Sequence, residues 1–266
     1  MICVDLTLID IRRLKMEAEE ILRSLPDELR KKALRYHRED DQLRSIGSSF
    51  LLLKAAKGKP IHYSAEGKPF VEGENFFNIS HSGDYVVLAE AKFPVGVDIE
   101  RIDDIGINND LLNIALTERE KLWVKDSLLR FYVVWTRKES LIKCEGSGFM
   151  SEPCEIDTLP ENDLDESVLY KGKYYRADSF MINGHIVSVA VKNDEDMSVS
   201  GSFISVVNLH GNTLCKSRRI SNDTEVIKVI SRVKLSESLF ELKLTSPLVE
   251  SDINRAETFI RSDKMI

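Results

Sequence analysis

Twice along this 266-residue chain a stretch with helical spacing gives way to two apolar segments joined by a tight turn, and that repeated order restricts the fold more than any other feature. The stronger turn is Asn183-Gly184, between the strand candidates Tyr174 to Met181 and Ile186 to Val191. Both turn positions must tolerate positive φ, which Asn and Gly do. Its looser counterpart, Gly83-Asp84, separates Phe76 to Ser80 from Tyr85 to Ala91. Met1 to Leu8 reads as an opening strand, and Arg12 to Leu25 has helical spacing. Leu25-Pro26-Asp27-Glu28 breaks that helix and offers acids to the start of the next. Helix then runs with a bend from about Asp27 to Lys57, closed by Gly58 and Pro60, with Ile46, Phe50 and Leu53 on its core face. In the second round Pro94 to Glu100 is a strand and about Leu111 to Lys143 is mainly helical.

These patterns predict an α+β fold of two pseudo-symmetric α/β halves with antiparallel sheets, residues 1–93 and 94–196, followed by an extension over 197–266. The crevice between such halves is the natural place for a ligand. Glu152 to Val168 is acidic, holds Pro153 and Pro160, and reads as a surface loop. In the extension Ser198 to Leu209, Val226 to Val233 and Leu239 to Thr245 are strand candidates, while Asn212 to Asp223 reads as a polar connection.

The formal net charge is -7 and the basic residues are dispersed, which disfavours a nucleic-acid binder. Cys3, Cys144, Cys154 and Cys215 lack metal-ligand spacing and read as reduced thiols of a cytoplasmic protein. Met1 to Leu8 carries Asp5 and does not read as a signal peptide, and no apolar run is long enough to cross a bilayer, so no membrane partner is expected.

Two charged clusters lie in otherwise apolar segments. In an extended Val95 to Glu100, the residues Val95, Val97 and Ile99 face one side while Gly96, Asp98 and Glu100 face the other. Two like charges so close destabilise a strand unless a cation lies between them or the strand end is wet. Both readings stand at this point, with Asp98 expected at an exposed strand end. In a helix over Phe131 to Lys143, the residues Trp135, Glu139 and Lys143 fall four apart on one face. Glu139 and Lys143 then form either a plain helical ion pair or a third metal oxygen beside a phosphate-binding lysine. Lys138 turns away from that face.

Phe77-Asn78-Ile79-Ser80-His81-Ser82, Gly96-Val97-Asp98-Ile99-Glu100 and Trp135-Thr136-Arg137-Lys138-Glu139-Ser140 with Lys143 resemble, in order and approximate spacing, the three signatures of 4'-phosphopantetheinyl transferases. The similarity is to the longer, surfactin-synthetase type and covers roughly residues 1 to 192. It implies transfer of the phosphopantetheine arm of coenzyme A to a serine of an apo acyl carrier protein, or of a peptidyl or aryl carrier domain, with release of 3',5'-ADP. By resemblance Asp98, Glu100 and Glu139 bind Mg²⁺, Lys143 contacts a phosphate, and His81 contacts the pyrophosphate. Lys68, in Gly67-Lys68-Pro69, falls on a stretch lining the nucleotide end. Arg44 resembles the reader of the 3'-phosphate, with Lys31 or Lys32 sharing that task. Glu120 matches a recurrent acidic position that assists the metal or the serine. Glu139 is the expected base, with a metal-bound hydroxide as its rival. A carrier helix is expected on a patch including Lys121, Leu122, Trp123, Lys125 and Arg130. The expected enzyme is a monomer; the competing expectation is an inactive regulator that binds coenzyme A or a carrier.

Overall fold

A computed structural model describes residues 4–103, 107–146, 152–159, 167–192, 203–207, 213–218 and 239–244. Cys3, Asp104, Ser147, Gly148, residues 160–166 of the acidic loop and the strand expected at Val226 to Val233 lie outside these residues.

The first half begins with strand β1 (Val4–Asp10), followed by helices α1 (Ile11–Leu14), α2 (Ala18–Ser24), α3 (Asp27–Leu34) and α4 (Glu39–Ala56). The expected helix from Arg12 to Leu25 is thus two short helices, broken around residues 15–17. Next come a two-residue ribbon, β2 (His62–Tyr63) with β3 (Pro69–Phe70), and the hairpin β4 (Phe76–Ser82) and β5 (Tyr85–Ala91). The second half repeats the order with β6 (Val95–Arg101), helices α5 (Asn109–Ala115), α6 (Glu118–Val124) and α7 (Leu128–Glu145), the short strand β7 (Ser167–Tyr170), and the hairpin β8 (Lys173–Ile182) and β9 (His185–Lys192).

Both sheets are antiparallel. β5 lies between β1 and β4 in the first, and the second runs β6-β9-β8-β7. The extension joins the first sheet. β12 (Leu239–Leu244) pairs with β1, and β10 (Phe203–Val207) lies between β12 and β11 (Thr213–Arg218). Thr213–Arg218 was expected to be part of a polar connection. Strand pairing to β10 overrides that polar composition, because a β-ladder uses backbone groups whatever the side chains.

The core is layered by strand alternation. Leu6, Leu8, Val87 and Ala89 meet Val95, Val97, Ile99, Val187 and Val189 between the sheets, while Ile9, Val86 and Leu88 face α4 with Leu43, Ile46 and Leu51. On the other side α7 covers β6 and β9. Gly96 makes that approach possible, because a Cβ there would overlap the Ser140 carbonyl oxygen and the Cys144 amide nitrogen. Asp98 and Lys143 are thereby brought within bonding distance.

The halves repeat in register. Thr7 and Asp98 are the central residues of two seven-residue strands, opposite Leu88 and Ser188 on β5 and β9. α4 and α7 are both 18 residues long, end in a left-handed residue, and carry Lys54 and Lys143 third from their ends. Part of the expected surface loop is packed inward: Ile156 and Thr158 are buried.

Candidate active site

Edge strands β4 and β6 meet along the crevice between the halves without pairing their backbones. Side chains make the seam. Asn78 Oδ1 accepts from the Val97 amide at 2.9 Å, Ser82 Oγ accepts from the Arg101 amide at 3.1 Å, Ser80 donates to Asp98 at 2.9 Å, and Ser82 donates to Glu100 at 2.7 Å. Strand alternation puts Asn78, Ser80 and Ser82 on one side of β4 and His81 on the other. The period-two run of polar residues in Asn78 to Ser82 is the sequence signal for this set, and Ser80 and Ser82 join the expected site residues through it.

Asp98 is 3% exposed, so the expected wet strand end is corrected. The packing of α7 on Gly96 and the seam with Ser80 cover it. Its Oδ1 takes Lys143 Nζ at 2.6 Å and Ser80 Oγ, while its Oδ2 is a buried oxygen with no hydrogen-bond partner. An orphaned buried carboxylate oxygen costs free energy unless a donor or cation meets it. Lys143 Nζ also reaches Ser80 Oγ at 3.1 Å and keeps its side chain 30% exposed, so it spans from the buried acid to the crevice. Of the two arrangements open to Lys143, the plain helical pair with Glu139 is not formed, and the lysine makes this longer-range pair with Asp98.

Glu100 and Glu139 are half-buried beside Asp98. Burial raises the pKa of all three carboxyls above the usual range. Asp98 adds repulsion at the other two, and Glu139 adds it at Glu100, while Lys143 opposes the shift at each. Among the described residues, no group of three or more His, Cys, Asp or Glu side chains is gathered as a ready-made metal site. The donor set nevertheless fits a hard divalent cation: it is all oxygen, mutually repulsive, and includes the unpartnered Asp98 Oδ2.

His81 keeps solvent contact on a crowded wall. Desolvation lowers its pKa, and Arg44 and Lys143 push the same way, which favours the neutral imidazole. Arg44 of α4 is held by Asp41 Oδ1 and the Gly83 carbonyl, both at 2.5 Å, beside His81. Lys31 and Lys32 are exposed in the last turn of α3, and no described contact brings them to Arg44. Lys68 directs Nζ at the carbonyl oxygens of Lys143, at 2.6 Å, and Val95, at 3.2 Å, clasping the end of α7 to the start of β6. Desolvation there lowers its pKa. A cavity of about 510 Å³ opens beside it, lined by Pro69, Phe70, Phe76, Pro94 and Cys144.

Glu120 does not join this site. It forms a wholly buried ion pair with Lys138 at 2.5 Å, and it also accepts from Thr117 and Thr158. Its carboxylate is consumed in tying α6 to α7 and to the 152–159 segment. Lys138 stays outside the site, as its place on the helix implied.

The fold places acidic groups that fit a cation on one wall of the crevice and Arg44 with His81 on the other. The sequence model of the 4'-phosphopantetheinyl transferase superfamily matches residues 94–190, a span holding Asp98, Glu100, Glu139 and Lys143. The chain is 39% identical over 110 residues to the 4'-phosphopantetheinyl transferase gsp of Aneurinibacillus migulanus, covering 40% of this chain and 45% of that protein. It is 31% identical over 145 residues to the 4'-phosphopantetheinyl transferase Sfp of Bacillus subtilis, covering 50% and 65%. It is 36% identical over 135 residues to the human L-aminoadipate-semialdehyde dehydrogenase-phosphopantetheinyl transferase, covering 45% and 42%. The match thus spans about half the length of these relatives, and the superfamily resemblance carried by the three motifs is borne out. Among the described residues no helix is long and apolar enough to cross a membrane.

Proposed function

We propose that this protein transfers the 4'-phosphopantetheine group of coenzyme A to a serine hydroxyl of an apo acyl or peptidyl carrier protein, releasing 3',5'-ADP. The observation that carries this reading is the Asp98, Lys143 and Ser80 cluster with its unpartnered Asp98 Oδ2, inside the segment that matches the superfamily. Asp98, Glu100 and Glu139 would hold Mg²⁺, which when bound offsets pyrophosphate charge and polarises its oxygens. Lys143 can turn from Asp98 to a phosphate oxygen, since its side chain already reaches the crevice. There it counters charge developing on the leaving 3',5'-ADP.

His81 donates a hydrogen bond to the same phosphates from its neutral form. Glu139 accepts the serine proton; burial and Asp98 move its pKa toward neutrality, which improves it as a base. Metal coordination pulls the other way, so positioning of the serine contributes alongside basicity. Arg44 reads the 3'-phosphate, and the cavity beside Lys68 takes the nucleotide end, with Lys68 shaping its wall through the two carbonyls it holds.

For the carrier, exposed Leu122 and Ile114 on α6 and α5 offer an apolar landing. Lys121 is tied to Asn113 and Glu118, and Arg130 lies over the Trp123 ring at 5.0 Å, so these cations contribute less than the sequence implied. The reading includes a monomeric, cytoplasmic enzyme whose working halves are residues 1–93 and 94–196. Incubation with coenzyme A, Mg²⁺ and a panel of apo carriers, followed by intact-mass measurement, should show one phosphopantetheine added per carrier. No mass gain with any carrier, despite coenzyme A binding, would replace this reading with that of an inactive regulator.

A further inference from the structure

His185 opens β9 in the second half, yet its ring lies beneath the hairpin turn of the first. The side chain is 1% exposed and uses both nitrogens: Nε2 accepts from the Asp84 amide at 3.3 Å, and Nδ1 stands 2.9 Å from the Asn183 carbonyl. Acceptance at Nε2 requires the proton on Nδ1, so the ring is neutral and held as one tautomer. Tyr85 packs edge-on against it at 4.9 Å and receives Asn183 Nδ2 at 2.7 Å.

The fit leaves no room above the ring. A Cβ on Gly83 would overlap His185 Nε2 and crowd the Arg101 side chain, and Gly83 also has φ of +51°, a region that favours glycine. The carbonyl of this same Gly83 receives Arg44 Nη1 at 2.5 Å, while Asp41 holds the other arm of the guanidinium. A continuous line of contacts therefore runs from a buried imidazole, through the tight turn at Gly83, to the cation beside His81.

We propose that His185 is a positioning residue for anion recognition: by seating the Gly83-Asp84 turn it fixes the carbonyl that aims Arg44 at the 3'-phosphate of coenzyme A. This rests on the reading of Arg44 as the 3'-phosphate contact. No part of His185 need touch the ligand. Its effect is on selectivity, because only a ligand with a 3'-phosphate uses the orientation of Arg44.

The test measures affinity and steady-state kinetics with coenzyme A and with 3'-dephospho-coenzyme A. H185A should raise Kd and KM for coenzyme A about tenfold, roughly the worth of one misplaced charge-assisted hydrogen bond. It should leave kcat and the dephospho compound within about twofold, and H185Q, which keeps a donor and an acceptor, should restore most of the loss. In an R44A background, H185A should add less than about twofold, since the two act through one contact. If H185A fails to give a folded protein by thermal melt, G83A disturbs the same turn from the other side and should give the same selective loss. Equal losses for the two ligands in folded H185A or G83A, with R44A still selective, would overturn the role of His185 alone. Equal losses in R44A itself would overturn the Arg44 reading and this proposal with it.

Discussion

The two halves repeat one order of strand, long helix and hairpin, yet they carry opposite chemistry. Where the second half has Asp98, Glu100 and Glu139, the first has Thr7, Ile9 and Phe50 at the matching places on β1 and α4. Where the first half lines its hairpin with Ser80 and Ser82, the second has Phe180 and Ile182, which join the core between the sheets. One feature is shared: Lys54 donates to Thr7 Oγ1 at 2.9 Å just as Lys143 reaches Asp98. A lysine from the end of the long helix to the middle of the first strand is thus an architectural part of each half. In the second half an acid stands beneath it, and the proposed function makes that lysine the phosphate contact. The candidate site draws on both halves, the second contributing acids and the first serines, His81 and Arg44.

The sharpest way to break this comparison is to neutralise the two strand centres. D98N should lower transfer on the order of 100-fold or more, the scale seen when one preorganised electrostatic group is lost. T7V should leave turnover unchanged and cost about 1 kcal/mol of stability for its lost hydrogen bond. Carrier modification rates and urea melts on both variants read the two effects. Similar turnover losses in both would mean the halves share the chemistry.

The second contrast lies deeper in the helices. Lys138 of α7 is buried against Glu120, and the matching place on α4 is the buried Ser49. E120A should cost about 3–5 kcal/mol by stranding a buried ammonium, whereas S49A should stay within about 1 kcal/mol. Denaturant midpoints decide. A mild E120A would show that Lys138 reaches water when released.

The smallest effect concerns pH. Tyr85 and His185 occupy matching positions, and of the two side chains only an imidazole has its ordinary pKa near neutrality. Burial is the main cause of the lowered His185 pKa; Arg101 and Arg12 push the same way, while the Asn183 carbonyl and Asp84 oppose. The unfolded chain therefore takes up a proton more readily than the native one. Stability should fall as pH drops through the ordinary histidine value of about 6.5, and H185Q should flatten that slope. Melting temperatures between about pH 7.5 and 5 would test it, and an unchanged slope in H185Q would assign the loss to other groups.

Local patterns carried the fold a long way. Asn183-Gly184 and Gly83-Asp84 marked both hairpins, and alternation put Asp98 and Glu100 on one face of β6. What stayed hidden depends on contacts far apart in sequence. Nothing within Gly96 to Glu100 says that Ser140 and Cys144 press on the glycine, or that Ser80 covers the aspartate, so Asp98 read as exposed. Glu120 looked available because its partners, Lys138 and Thr158, are 18 and 38 residues away. Short-range periodicity predicts which way a side chain faces, and the fold decides what it meets.

The seam of β4 and β6 has a practical consequence. Val97 and Arg101 turn amides toward a neighbouring strand and find side-chain oxygens there in place of a backbone partner. Neither hairpin need fray for those two bonds to break. Hydrogen exchange at these two amides would time the parting of the halves in the ligand-free protein, apart from the slower melting of either sheet. Those two amides are a reporter, built into the seam itself, on any opening of the crevice.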